Sequence, residues 1–332
     1  YGSLDYMPRS DLTVSLAARY SYEKKSVESV DTDPLSGDII GRFADRQDWH
    51  NLTPSLSLKY DIDADQRVYA RVARAVNAGG FNVMTVGGAI APDERRVDQE
   101  SSLNYELGYK AEWANGRVST SVAGFWVDWK DHIVQALGES GVVLNDNAAA
   151  TTSRGVELSL KARPVEGLLV RAGATYTDAH YDRYNFEALS GLGLEPDLSG
   201  VRLQYVSDWT THLFARYARP LGGGIQGFAS ADFSYQGDQA AVQTNDALIP
   251  ATTLLALRAG LEWRGLELKL WVENLLDEDA PLSAGFIPDW EGRFEFLRGA
   301  TGAGPVTGCT AVNQQDAARP PRTWGDTARS RL

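Results

Sequence analysis

The chain has 332 residues, 43% of them hydrophobic, a formal net charge of −12 and one cysteine, Cys309. The acidic balance argues against a nucleic-acid partner, which needs a basic footprint. The lone cysteine excludes an internal disulfide and a cysteine-based metal centre. No stretch of about 18 apolar residues occurs, so no transmembrane helix is expected, but barrel strands of alternating residues barely register in hydropathy and stay open.

Taken in order, the chain reads as strand after strand. Tyr1 to Met7 looks like a strand already in progress, so the sequence is expected to be a portion of something longer. Leu12, Val14, Leu16, Ala18, Tyr20 and Tyr22 alternate with Thr13, Ser15, Arg19 and Ser21, and Leu56, Leu58 and Tyr60 with Ser55, Ser57 and Lys59. Period-two alternation puts each set on its own face of a sheet. In Leu103 to Gln135, Tyr105, Leu107, Tyr109, Ala111 and Trp113 oppose Asn104, Glu106, Gly108, Lys110 and Glu112. Ala114-Asn115-Gly116 then turns the chain, because Asn-Gly supplies the positive φ angles of a tight hairpin. The returning strand ends in Phe125, Trp126 and Trp129, read as an aromatic end to the apolar face. The same two-faced pattern recurs at 156–162, 168–177, 209–217, 229–235, 255–263 and 266–273, giving about twelve strands plus the opening stub.

The connections alternate in length. Short polar turns fall at 8–11, 61–65, 114–116, 163–166, 220–223 and 264–265, and longer stretches at 23–50, 77–100, 131–150, 181–206, 237–250 and 277–321. Short turns at one end and long loops at the other are the rhythm of an outer-membrane barrel. Tyr60, Trp113, Tyr217 and Trp263 each sit beside a short turn in phase with the apolar face, as an interfacial girdle would. The opposite face mixes Glu106, Lys110, Glu157, Lys161, Arg171, Arg216, Arg258 and Glu273, which suits a wet lumen. The fold class expected is all-β, an antiparallel transmembrane β-barrel.

Few residues point to chemistry. There is no nucleophile elbow, phosphate loop or zinc-protease motif, so no enzyme is expected. His50, His132, His180 and His212 are scattered, Asp178, His180 and Asp182 read as a loop rim, and Asp31, Asp33 and Asp38 read as a solvated acidic loop. No metal site and no cofactor are expected. The stretch 277–321, which holds Cys309, is long for a plain connection and reads as a functional or disordered loop.

Ordered motifs carry a family resemblance. Gly79-Gly80-Phe81-Asn82, Glu100-Ser101 before Asn104-Tyr105-Glu106-Leu107-Gly108-Tyr109-Lys110, Ser153-Arg154-Gly155-Val156-Glu157-Leu158, Ala174 to Ala179, Glu273-Asn274-Leu275-Leu276-Asp277 and Pro321-Arg322-Thr323-Trp324-Gly325 appear in this order. The chain thereby resembles the C-terminal part of the barrel of TonB-dependent outer-membrane receptors. The resemblance implies a barrel of about 22 strands, filled by an N-terminal plug whose short segment contacts TonB. It also implies a Gram-negative outer membrane, its bilayer as surroundings, and energised uptake of a scarce extracellular small molecule such as a ferric siderophore. Residues 1–332 are then expected to be a single barrel portion of about 12 strands, with the plug and TonB outside this chain. The alternative is a passive or structural barrel without a plug. Loop residues near the mouth are the ligand candidates: Trp49, His50, Phe81, Asn82 and, with Asp289, Trp290. In the final strand, the matching phase is Trp324, Asp326, Ala328, Ser330 and Leu332, in which only the first and last suit a lipid face.

Overall fold

The computed structural model describes residues 1–32, 36–83, 90–137, 143–186, 188–191, 193, 195–279, 284–288, 294–298 and 306–313. The chain opens with β1 (Gly2–Arg9), β2 (Leu12–Thr32), β3 (Ile39–Asp61) and β4 (Gln66–Asn77). A small pair, β5 (Gly80–Phe81) with β6 (Arg96–Val97), precedes β7 (Glu100–Trp113). Then come β8 (Val118–Leu137), β9 (Val143–Ala162) and β10 (Leu168–Tyr184). One helical turn, α1 (Ala188–Gly191), leads towards β11 (Trp209–Gly222) and β12 (Ile225–Gln236). The pair β13 (Gln239–Ala240) and β14 (Leu248–Ile249) precedes β15 (Thr252–Trp263) and β16 (Leu266–Glu273). A hairpin of β17 (Ala284–Pro288) and β18 (Phe294–Arg298) and the strand β19 (Val306–Asn313) follow.

Among the described residues thirteen strands form one antiparallel sheet in the order β1-β2-β3-β4-β7-β8-β9-β10-β11-β12-β15-β16-β19. Among the described residues the sheet is open, with β1 and β19 at its edges, as in a partial barrel. The thirteen match twelve strands plus the opening stub, but not all lie where alternation put them. β19 falls inside 277–321, read from sequence as a loop, and pairs with β16, with Cys309 opposite Leu270. The expected final strand, Trp324 to Leu332, lies outside the described residues.

Two further expected loops are largely strand. β2 runs to Thr32 and β3 starts at Ile39, and β8 runs to Leu137 with β9 starting at Val143. These extensions carry polar residues on both faces. A strand that has left the bilayer is wet on both sides, so its sequence resembles a polar loop. The short turns hold as read. At the β7–β8 turn Ala114, Asn115 and Gly116 all take positive φ, 53°, 57° and 76°, and only Gly does so without a Cβ penalty.

The two faces separate cleanly in the lower barrel. Leu56, Leu58, Leu107, Leu158, Leu213, Leu257 and Leu268 point outward and stay exposed. So continuous an apolar surface cannot face water and defines the lipid belt. Tyr60, Trp113, Tyr217 and Trp263 are also exposed, at the short-turn rim of that belt. At the other rim lie Tyr20, Tyr22, Trp126, Tyr176 and Trp209. One outward step beyond Trp126 and Tyr176 come Asp128 and Asp178, where the apolar face ends.

The lumen is not a purely charged face. The register puts Phe125 inward and Trp126 outward, so the aromatic end of β8 is split between faces instead of belonging to one. Arg216 lies over Phe228, 4.1 Å from the ring centre, and pairs with Glu262 at 3.2 Å. Three inward rings lie over the glycine opposite them: Tyr69 over Gly108, Phe125 over Gly155 and Phe228 over Gly260. A Cβ at any of these glycines would run into the ring, and each ring covers backbone that glycine leaves bare. Tyr69 also donates a 2.5 Å hydrogen bond to Glu106.

Candidate functional site: the mouth at the long-loop end

The concave face of the sheet holds a cavity of about 750 Å³, lined by residues that include Tyr69, Glu106, Lys110, Glu157, His212 and Gln236. Above it, at the long-loop end, the connecting segments fold inward. Two of them are tied to each other, and a third is tied to the strands on either side of it.

The segment after β4 is the first. On one side it meets the β2–β3 hairpin. Arg95 donates to Asp31 at 2.7 Å and stacks on Phe43 at 4.8 Å. Arg96 grips Asp45 through both ends of its guanidinium, at 2.6 and 3.0 Å. That bond, before any other cause, holds the Asp45 carboxyl below its ordinary range. Phe81 packs edge-on against Phe43, 6.1 Å between centres, and Lys25 donates to the Gly79 carbonyl at 2.7 Å. On the other side the segment meets β9. The Asn82 amide donates to the Asn145 carbonyl at 2.8 Å, and the Asn145 N–H donates back to Asn82 at 3.0 Å. Asp98 and Asn147 exchange a second such pair, at 2.7 and 2.9 Å. Ile90 and Leu144 form a small buried apolar contact. Gly79 is required here, because a Cβ on it would strike the Val97 carbonyl.

The other two segments follow β10 and β12. Tyr181, Tyr184, Val134, Ala149, Leu189 and Leu198 make an apolar cluster inside the mouth. Burial pushes the Tyr181 hydroxyl up to about 12. The Tyr205 N–H donates to the Ala240 carbonyl at 2.9 Å, Asn245 donates to the Arg202 carbonyl at 3.0 Å, and Arg202 bridges Asp208 and Asp238. Gln243 donates to the Gln135 carbonyl on β8. Nearby, His132 stacks on Trp129 with ring centres 4.7 Å apart. Burial lowers its pKa, with Glu100 opposing the shift.

The sequence candidates take different places. Trp49 is buried on the luminal face, with the Lys25 ammonium 5.5 Å over its ring. His50, one residue on, points to the outer face, is hydrogen-bonded to the Tyr20 hydroxyl at 2.6 Å and lies beside Tyr22. Alternation makes the separation of these two neighbours unavoidable. Phe81 is half-buried in the mouth, and Asn82 is buried with its amide donating to the Glu94 and Asn145 carbonyls. Trp290 lies outside the described residues. Sequence reasoning missed Arg95 and Arg96, whose only signal is a pair of adjacent basic residues close after the Gly79-Gly80-Phe81-Asn82 motif.

The acidic and histidine groupings resolve into polar networks. His180 lies 3.3 Å from both Asp178 and Asp182, with Arg154 on Asp178 and the Thr152 hydroxyl donating to Asp182. Asp31 is taken by Arg95, and Asp33 is outside the described residues. Among the described residues no three His, Cys, Asp or Glu side chains gather as a metal site.

A lipid-facing exterior, a polar lumen and inward-folded connections at one end define an outer-membrane-type barrel wall with a mouth. The chain belongs to the TonB-dependent receptor family: the TonB dependent receptor-like β-barrel matches residues 1–275. It is 28% identical over 170 residues to the pesticin receptor of Yersinia enterocolitica, covering 50% of this chain and 24% of the relative. It is 24% identical over 212 residues to the ferric-pyoverdine 358 receptor of Pseudomonas putida, covering 62% and 23%. In structure it resembles the ferric yersiniabactin uptake receptor of Yersinia pestis, TM-score 0.70 at 19% identity, over 93% of this chain and 42% of that one. The siderophore receptor PiuA of Acinetobacter baumannii gives 0.71 at 16%, over 92% and 41%. The chain thus spans about a quarter of the curated relatives' length. These relatives are receptors, not enzymes.

Proposed function

We propose that residues 1–332 are one barrel portion, without a plug of its own, of a receptor in a Gram-negative outer membrane. The complete receptor takes up a ferric siderophore or a similar scarce chelate, with a plug and TonB outside this chain supplying the energised step. The observation that carries this reading is the mouth: inward-folded connections, bonded to one another or to the neighbouring strands, above a polar lumen, in a chain of this family whose relatives are named for pesticin and ferric pyoverdine. The ligand rests against the luminal side of the segment after β4, where Phe81 is partly open. Trp49 and Asn82 support that surface from below, and His50 anchors the outer rim.

The test is uptake of a radiolabelled ferric siderophore panel by cells expressing the complete receptor, with and without TonB. TonB-dependent accumulation of one chelate is expected. TonB-independent leakage of unrelated solutes would instead point to a passive pore, and no accumulation of any iron chelate would remove the siderophore reading.

A further inference from the structure

The wall of the barrel is uneven in height. β2 and β3 are 21 and 23 residues long, and β8 and β9 are 20 each, but β4 and β7 between them are only 12 and 14. The register shows the consequence. β3 pairs with β4 only from Ser55 downward, so among the described residues, positions 39–54 of β3 have no strand partner on that side. β8 pairs with β7 only up to Lys130. Two tall hairpins therefore flank a notch, and unpaired strand edges border it. Such edges need a cover.

The cover is made by residues 79–82 and 90–98. Its two attachments differ in kind. Against β9 it is held by amide pairs and an apolar contact: Asn82 with Asn145, Asp98 with Asn147, Ile90 with Leu144. Asn82, Ile90 and Leu144 are all buried. Against the β2–β3 hairpin it is held by two charged pairs, with the Lys25–Gly79 hydrogen bond and the Phe43–Phe81 ring contact beside them. The Arg96–Asp45 pair is open to solvent on the arginine side, with 61% of that side chain exposed. The Arg95–Asp31 pair is largely covered, yet among the described residues Arg95 Nη1 and the Ser29 hydroxyl find no hydrogen-bond partner. Ser29 is the register partner of Phe43, the ring beneath Arg95. The charged attachment is thus the incompletely satisfied one, and buried polar atoms left without partners weaken a contact.

We propose that this cover is a strap hinged on β9 and detachable from the β2–β3 hairpin, so that release of the Arg95–Asp31 and Arg96–Asp45 pairs opens a side entrance to the mouth through the notch. The strap needs no bound ligand and stands independently of which molecule the receptor takes up.

The test uses the complete receptor in whole cells, carrying Ser29→Cys as reporter and Cys309→Ser as background, labelled with a membrane-impermeant maleimide. Arg95→Gln with Arg96→Gln is expected to raise the labelling rate at least about tenfold, since both charged pins are lost. Asp31→Asn with Asp45→Asn should do the same from the other partner. Raising sodium chloride from low to molar concentration should raise labelling of the unmodified strap several-fold through the exposed pair. Asn82→Ala should leave labelling low, and a Phe43→Cys/Phe81→Cys disulfide should suppress it in the arginine double variant. Heat-modifiable mobility on gels confirms that each barrel is folded. Unchanged labelling in folded arginine and aspartate variants overturns the proposal. So does an equal rise in Asn82→Ala, which would mean that the region loosens as a whole.

Discussion

The lower barrel and the mouth obey different rules. In the lipid belt the strands hold long unbroken registers, from Leu12↔Tyr60 to Tyr20↔Leu52, or from Leu168↔Tyr217 to Tyr176↔Trp209, with slips only beside the short turns, between Tyr6 and Arg9 and between Pro220 and Gly222. In the mouth the register slips, between Asp31 and Thr32, between Trp129 and His132, between His132 and Val134, and between Tyr181 and Arg183. The belt is organised by alternation against lipid, a local rule. The mouth is organised by side chains that reach across 64 residues from Arg95 to Asp31 and 63 from Asn82 to Asn145. A slip is costly where a one-residue shift would turn every apolar side chain inward. It is tolerated where both faces are wet.

The sharpest way to break this comparison is a charge in the belt. Leu107, on the outer face of β7 and 66% exposed, should as Leu107→Arg lose about 2–4 kcal/mol of barrel stability in urea-unfolding experiments in lipid vesicles. Ser26→Arg, on the same face but above the belt, should change almost nothing. An equal loss at both positions would show that the belt ends elsewhere.

Next is the ring-over-glycine contact. Gly108→Ala puts a Cβ into the Tyr69 ring and should cost roughly 1–3 kcal/mol. The cost should shrink in a Tyr69→Ala background, and a double-mutant cycle reads the difference.

At the mouth, Asn82→Ala removes the hydrogen bonds that Asn82 donates to the Glu94 and Asn145 carbonyls and accepts from the Asn145 N–H. A loss of about 1–3 kcal/mol is expected, confined to the mouth. Hydrogen exchange should speed up at residues 143–147 and stay unchanged at 105–111.

The smallest effect is a pH dependence. Burial depresses the His132 pKa, so the unfolded segment binds the proton more tightly than the folded one. Protection of the amides near Ile133 and Ala149 should be full above the ordinary histidine value of about 6.5. It should fall as pH drops below that, levelling off once the folded form also protonates. His132→Gln should flatten the profile.

Most of the fold was legible in the sequence because the bilayer imposes a period-two code on every strand. Leu56-Ser57-Leu58-Lys59-Tyr60 states both its faces outright, and Asn115-Gly116 states its turn. The strand extensions at 23–32 and 39–50 were not legible, since a strand wet on both faces has no hydrophobic period. Of the site, Phe81 and Asn82 were picked out by their motif, but the contacts that hold their segment were not: nothing local in Asp31, Asp45 or Asn145 says that Arg95, Arg96 or the Asn82 amide, 50 or more residues away, will reach it.

By itself, then, the sequence determined that this chain is an outer-membrane-type barrel wall with short turns at one rim and polar connections at the other. Lipid and water partition each strand separately, so each strand declares its own orientation. Only the tertiary structure decided that β4 and β7 are short walls between tall hairpins, that the segment between them bridges the gap, and that Trp49 and His50 serve opposite faces of the same strand. Those outcomes depend on which distant side chains meet, and that follows from the height and curvature of the assembled sheet.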